Sequence, residues 1–101
     1  MPQMLTFIVG SQYRVGAREA IAELRTGEVL TLRREPDNPH DRNAVAVYDA
    51  CGQHLGYVPR QDAPAVAKVM DLRLPYTAKC RSRGTTSIDI SWETKTYEQQ
   101  P

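Results

Sequence analysis

His40 and Asp41 stand side by side inside "REPDNPHDRNAVAV", Arg34 to Val47, where prolines, acids and amides crowd together directly before an apolar run. An adjacent histidine and aspartate could belong to a phosphohydrolase metal centre. That chemistry needs further His and Asp ligands on facing helices, and the chain has one other histidine, His54, in "CGQH". Cys51 and His54 are at best half of a zinc site, which takes three or four ligands. G-x-S-x-G, the P-loop and G-x-G-x-x-G do not occur. A Cys–His or Ser–His pair meets only in space, so spacing neither makes nor excludes one. Nothing in the motifs points to a catalytic centre, a metal or a cofactor. The residues are read as binding groups, and a metal-dependent nuclease ranks third among the possible functions.

The stretch has a clear local logic. Pro36 and Pro39 fix two φ angles and remove two donors, so the loop is stiff and extended. Asn38, Asp41 and Asn43 can bond backbone groups two residues on, as Asx turns do. A rigid turn that caps its own backbone accounts for Asp37, Asn38 and Asn43. It accounts less well for His40 and Asp41, which a stiff loop would hold outward at its tip.

The elements that would carry this loop are short. "MLTFIVG" alternates, with Leu5, Phe7 and Val9 on one face and Ile8 on the other, and reads as a largely buried first strand ending at Gly10. "GSQYRVG" is a loop between Gly10 and Gly16. "AREAIAEL", Ala17 to Leu24, reads as a short helix with Ile21 and Leu24 inward, stopped at Gly27. "EVLTLRRE" is a second strand with Leu30 and Leu32 inward. "NAVAVYD" and "HLGYVP" are strands three and four, paired antiparallel across a tight "ACGQ" turn. "RQDAPAVAKVMD" is a second helix with Asp62 as N-cap, Pro64 in the first turn, and Val66, Val69 and Met70 inward. "PYTAKCRSRG" and "TSIDISWE" form a last hairpin, with Ile88, Ile90 and Trp92 inward and Asp89, Ser91 and Glu93 outward. The predicted fold is mainly β with two α-helices: a small six-stranded, OB-like barrel, mostly antiparallel, closed or nearly so because closure removes strand edges. It is one domain over 1–101, with its core in about 5–93 and a frayed tail at 94–101.

Composition narrows the partners. A chain of 101 residues can bury enough surface for a core of its own. Its net charge of +1 argues against coating a duplex through many phosphate contacts, but not against a small site gripping a few nucleotides. Ten of the thirteen basic residues are arginine, which suits planar phosphate contacts and stacking. Cys51 and Cys80 are expected to be separate, mostly buried thiols. No apolar run reaches the ~20 residues that span a bilayer, and no basic region precedes the apolar part of "MPQMLTFIVG". The expected setting is cytoplasmic and reducing, away from membranes.

Taken together, "VGSQYRVG", "LTLRREPDNPHDRNAVAV" and "HLGYVPR" followed by a helix resemble the HIRAN domain. The match runs from about Phe7 to Met70 and is looser over the last hairpin. This family occurs fused to fork-remodelling ATPases of the Swi/Snf class and as small bacterial or phage proteins. The resemblance implies a modified OB-type barrel and a non-enzymatic module, active in DNA repair or replication-fork processing, that binds single-stranded DNA at a free 3′ end. It implies Asp41 as acceptor of the terminal hydroxyl, Tyr13 and Tyr57 as stacking rings, and Arg60 as a phosphate partner. Arg14 and Arg42 are further phosphate candidates, and His40 and Asn38 are contacts from the loop. Gln12 replaces an arginine that some members carry, which removes a charge and points to modest, salt-sensitive binding. The alternative is a protein-interaction module tethering a helicase, ATPase or nuclease.

Overall fold

The computed structural model describes residues 2–94. Six strands and two helices follow one another: β1 (Gln3–Phe7), α1 (Ala17–Ala22), β2 (Val29–Arg34), β3 (Val45–Tyr48), β4 (His54–Tyr57), α2 (Ala63–Asp71), β5 (Tyr76–Cys80) and β6 (Ser87–Trp92). A single 3₁₀ turn, Ser11–Tyr13, lies between β1 and α1. The strands make one antiparallel sheet in the order β1-β6-β5-β2-β3-β4. The sheet curls into a half-barrel. Its two outer strands meet at one bridge, where the backbones of Val9 and Tyr57 exchange two hydrogen bonds of 2.9 Å each. The six-stranded OB-like architecture expected from the sequence is therefore present. The tail expected to fray lies, from residue 95 onward, outside the described residues.

The core fills the concave side. Leu24, Leu30, Leu32, Val45, Val47, Leu55, Val66, Ile88 and Ile90 are all buried in it. Each comes from the predicted inward set or from an apolar run. Trp92 and Met70, also expected inward, pack at its margin and are half-buried. Cys80 is buried and Cys51 is exposed on the turn before β4, and both are free thiols. The expectation of mostly buried cysteines thus holds for one of them.

The first strand, expected to be largely buried, is buried on one face only. Thr6 and Ile8 are buried, while Leu5, Phe7 and Val9 are exposed. Alternation fixes a period of two but not its phase, and here both faces carry apolar residues. Tertiary contacts set the phase. Thr6 Oγ1 donates to Asp62 Oδ2 at 2.7 Å, and Ile8 packs beneath Gly56. The same bond explains a second difference. Asp62 occupies the N-cap position of α2, but its side chain makes no capping bond because it serves Thr6. The chain enters α2 through a turn begun at Pro59, whose carbonyl accepts from both Asp62 and Ala63.

Two backbone details place the functional side chains. Between Val47 and Tyr48 the β3–β4 register slips: Val47 pairs Gly56, and Tyr48 pairs His54. Leu55 is the extra residue of a β-bulge. In a regular strand, positions three apart face opposite ways. The bulge instead brings His54 and Tyr57 to the outer face together, with Tyr48. Gly56 then passes so close to β1 that a Cβ would lie 2.4 Å from the Val9 carbonyl oxygen, and its φ is +147°.

Gly56→Ala is expected to destabilise the domain by about 2–4 kcal/mol, from overlap added to backbone strain. Gly10, at φ +80° with open space around its Cβ direction, provides the strain-only control. Its alanine variant should lose about 1 kcal/mol. Equal losses in urea unfolding would show that the closure accommodates a side chain.

Candidate nucleic-acid interface

The polar stretch between β2 and β3 is a loop that holds itself together. Its neck is closed by the Glu35 amide donating to the Ala44 carbonyl at 3.0 Å. Asn38 Oδ1 accepts from the amides of His40 (2.8 Å) and Asp41 (3.2 Å). Asp41 Oδ1 accepts from the Asn43 amide at 2.9 Å. These are the Asx turns that the residue types predict. They delay the start of β3 to Val45, two residues later than the apolar run suggests.

Self-capping uses only one oxygen of Asp41. The other, Oδ2, lies 4.0 Å from Arg60 Nε, and the side chain is 22% exposed. The Arg60 guanidinium also donates to the His40 carbonyl. Arg60 thus bridges the tip of the loop to the end of β4. Between them opens a cleft of about 300 Å³, lined by Asn38, His40 and Asp41 from the loop, Tyr57, Val58 and Arg60 from the other wall, and Val9, Arg14 and Ala44. A second, wider cleft on the far side of the loop shares Arg14, Asn38, His40 and Tyr57.

Six of the nine candidate residues therefore meet at one place: Arg14, Asn38, His40, Asp41, Tyr57 and Arg60. Gln12, Tyr13 and Arg42 are exposed and do not line this cleft. Tyr13 is 80% exposed. It ends the tight 3₁₀ turn, and Arg14 follows it in an extended conformation. The change of backbone direction sends the guanidinium toward β4 and the ring outward. Among the described residues no group of three or more His, Cys, Asp or Glu side chains is placed to hold a metal. His54 instead donates from Nε2 to the Gly56 carbonyl at 3.0 Å.

Comparison with known proteins follows the same lines. The HIRAN domain family model matches residues 3–95. This chain belongs to the HIRAN domain family. The helicase-like transcription factor of Mus musculus is 40% identical over 60 residues, which are 59% of this chain and 6% of that protein. The chain thus corresponds to a small part of that relative's length. The crystal structure of the HIRAN domain of human HLTF superposes with a TM-score of 0.75 at 22% identity, over 89% of this chain and 74% of that one. An NMR structure of the HLTF HIRAN domain in its DNA-bound conformation gives 0.63 at 23% identity, over 89% and 73%. These two superpositions establish the shared fold.

In this HIRAN domain Glu35 ties the cleft together, and sequence reasoning passed over it. Tyr57 donates its hydroxyl to Glu35 Oε1 at 2.8 Å, and Asn38 Nδ2 donates to the same oxygen at 3.0 Å. Arg14 Nη2 in turn donates to the Tyr57 hydroxyl at 3.0 Å. One carboxylate therefore fixes the loop and the tyrosine ring relative to each other. The available signal was its place in Glu-Pro-x-Asn-Pro, three residues before Asn38, the spacing at which turn side chains meet. Burial works to raise the Glu35 pKa. The bonds from Asn38 and Tyr57, with the nearby charges of His54 and Arg14, outweigh it and hold the carboxyl below its ordinary value. Burial, then the bond to Glu35 and its charge, push the Tyr57 phenol up, so that it keeps its proton to donate. Burial, followed by the Arg14 charge, holds the His54 imidazole below its usual value, which leaves it neutral near pH 7.

The lowered Glu35 pKa has a stability consequence. The unfolded chain binds this proton more tightly than the folded one, so Glu35 contributes stability above its unfolded value of about 4.3. That contribution is lost as pH falls through the lower folded value. Urea midpoints measured from pH 6 to pH 3 should therefore fall more steeply for wild type than for Glu35→Gln. Parallel profiles for the two proteins would show that the carboxylate charge does not hold the loop.

Proposed function

We propose that this HIRAN domain binds single-stranded DNA at a free 3′-hydroxyl end and carries out no chemistry on it. The observation that carries this reading is the half-used carboxylate of Asp41. One oxygen is committed to the loop, and the other faces a nucleotide-sized cleft beside Arg60. A terminal 3′-hydroxyl can donate to that oxygen. A 3′-phosphate, or the phosphodiester of an internal residue, brings only negative charge and acceptors to the same point. The carboxylate therefore selects ends by repulsion as much as by attraction.

The neighbouring groups suit the same ligand. The Tyr57 ring forms one wall, and base–aromatic stacking contributes ~1–3 kcal/mol. Arg60 and Arg14 line the cleft and can pair with phosphate oxygens next to the terminal sugar. Tyr13 adds a ring for a base that leaves the cleft past the 3₁₀ turn. The HIRAN domain of HLTF has a DNA-bound conformation, which supports nucleic acid as the ligand class here. With a net charge of +1 the affinity rests on a few local contacts and falls with salt. A domain that reads ends serves repair or fork processing by delivering them to a helicase, ATPase or nuclease, on the same chain or another. The name of the helicase-like relative is consistent with such a partner.

Fluorescence anisotropy with short labelled strands tests the reading. Wild type is expected to prefer a 3′-hydroxyl over a 3′-phosphate by about tenfold, equivalent to about 1.4 kcal/mol. Asp41→Asn keeps an acceptor for the Asn43 amide but removes the charge, and it should reduce the preference to about threefold or less. Equal wild-type affinity for hydroxyl-ended, phosphate-ended and circular strands defeats end recognition. Absence of any strand binding would favour the protein-interaction role instead.

A further inference from the structure

The cleft has room for about one nucleotide, whereas OB-type surfaces contact about four or more. If the end is held beside Asp41, the strand must leave over a neighbouring surface. The outer face of β2, β3 and β4 carries an unusual arrangement at that point. The Arg33 guanidinium lies 4.9 Å from the centre of the Tyr48 ring. Tyr48 stacks on His54 with ring centres 4.7 Å apart and planes 15° from parallel. His54 meets Tyr57 edge-on at 5.1 Å. Arg14 closes the series on the Tyr57 hydroxyl. The Leu55 bulge makes the series continuous, because without it His54 and Tyr57 would face opposite ways.

Tyr48 and His54 stack face to face, so those faces are closed to a base. What they leave toward solvent is their edges, the positive pole of the aromatic quadrupole. A guanidinium stands at each end. Neither Arg33 nor Arg14 belongs to an ion pair among the described residues, where the pairs are Arg34 with Asp71 and Arg60 with Asp41. The nearby acids are engaged elsewhere. Asp49 Oδ1 accepts from the Cys51 and Gln53 amides, and Glu35 accepts from Tyr57 and Asn38. The strip therefore presents two guanidinium groups outside any ion pair on a nearly neutral domain. It offers planar donors that are already held in place, which suits phosphates rather than bases.

We propose that this strip is the path of the DNA backbone behind the terminal nucleotide, with Arg33 and Arg14 holding phosphates across the edges of Tyr48 and His54. The inference rests on the single-strand reading of the cleft and extends it to the nucleotides upstream. It makes binding depend on strand length without dependence on sequence.

The experiment compares a dinucleotide with a decanucleotide, both 3′-hydroxyl, across a salt series. Wild type should bind the decanucleotide about tenfold more tightly. Arg33→Ala should leave the dinucleotide affinity unchanged and remove most of the gain from length. Its slope of log K against log salt on the decanucleotide should fall by about 0.7 for each phosphate that the variant no longer neutralises. Tyr48→Ala, which removes the ring that holds the guanidinium, should act in the same direction. Thermal unfolding of each variant confirms that it is folded. Equal wild-type affinities for the two lengths, or an unchanged Arg33→Ala slope, overturns the proposal. If Arg33→Ala weakens long strands but hydroxyl and phosphate ends bind alike, end recognition fails and the path stands. If wild type binds no strand, both fail.

Discussion

Two backbone hydrogen bonds between Val9 and Tyr57 join strands that lie at opposite ends of the sheet, and the site depends on them. They turn an open sheet into a half-barrel and bring the end of β1 against β4. The 3₁₀ turn and Arg14 follow directly from Val9, and Arg60 follows directly from β4. Without that bridge Val9 and Arg14 would have no fixed place beside the loop and β4. The close approach is possible because residue 56 lacks a side chain. A Cβ there would push β1 away from β4 just where the sheet closes.

On this frame the loop between β2 and β3 is built twice over. Proline stiffens it, and Asn38 and Asp41 tie its amides, so its shape is set locally. Glu35 then attaches that local shape to Tyr57 on the far strand. The result is a cleft whose polar groups are positioned before any ligand arrives, which lowers the ordering entropy of binding. Asp41 illustrates the economy of the design. The same carboxylate shapes the loop with one oxygen and faces the cleft with the other. The structural reading of this residue is present in the geometry, and its second oxygen is left for the proposed binding role.

Charge is arranged in the same local fashion. The net value of +1 conceals two opposite uses of arginine. Arg34 pairs with Asp71 and donates to the Ala44 carbonyl, which fastens the loop neck to α2. Arg14 and Arg33 instead hold their guanidinium groups against aromatic side chains, with no carboxylate partner in an ion pair among the described residues. Low total charge limits nonspecific attraction to nucleic acid, while these two positions keep guanidinium groups near the cleft for the proposed phosphate contacts.

The order and type of the elements, the inward set of β2, the burial of Val66 and Val69 in α2, the last hairpin and the self-capping loop were all determined by the sequence alone. Each rests on interactions within a few residues: periodicity, proline geometry and Asx bonds. The cleft-forming residues of the loop were legible for the same reason. The buried face of β1, the engagement of Asp62 by Thr6 and the grouping of Tyr48, His54 and Tyr57 were decided only by the tertiary structure. Each depends on partners far away in the chain. Strand alternation leaves phase free until another strand is docked, and a bulge of one residue reverses which side chains share a face. Local chemistry chose the parts; long-range closure of the sheet chose which of them meet.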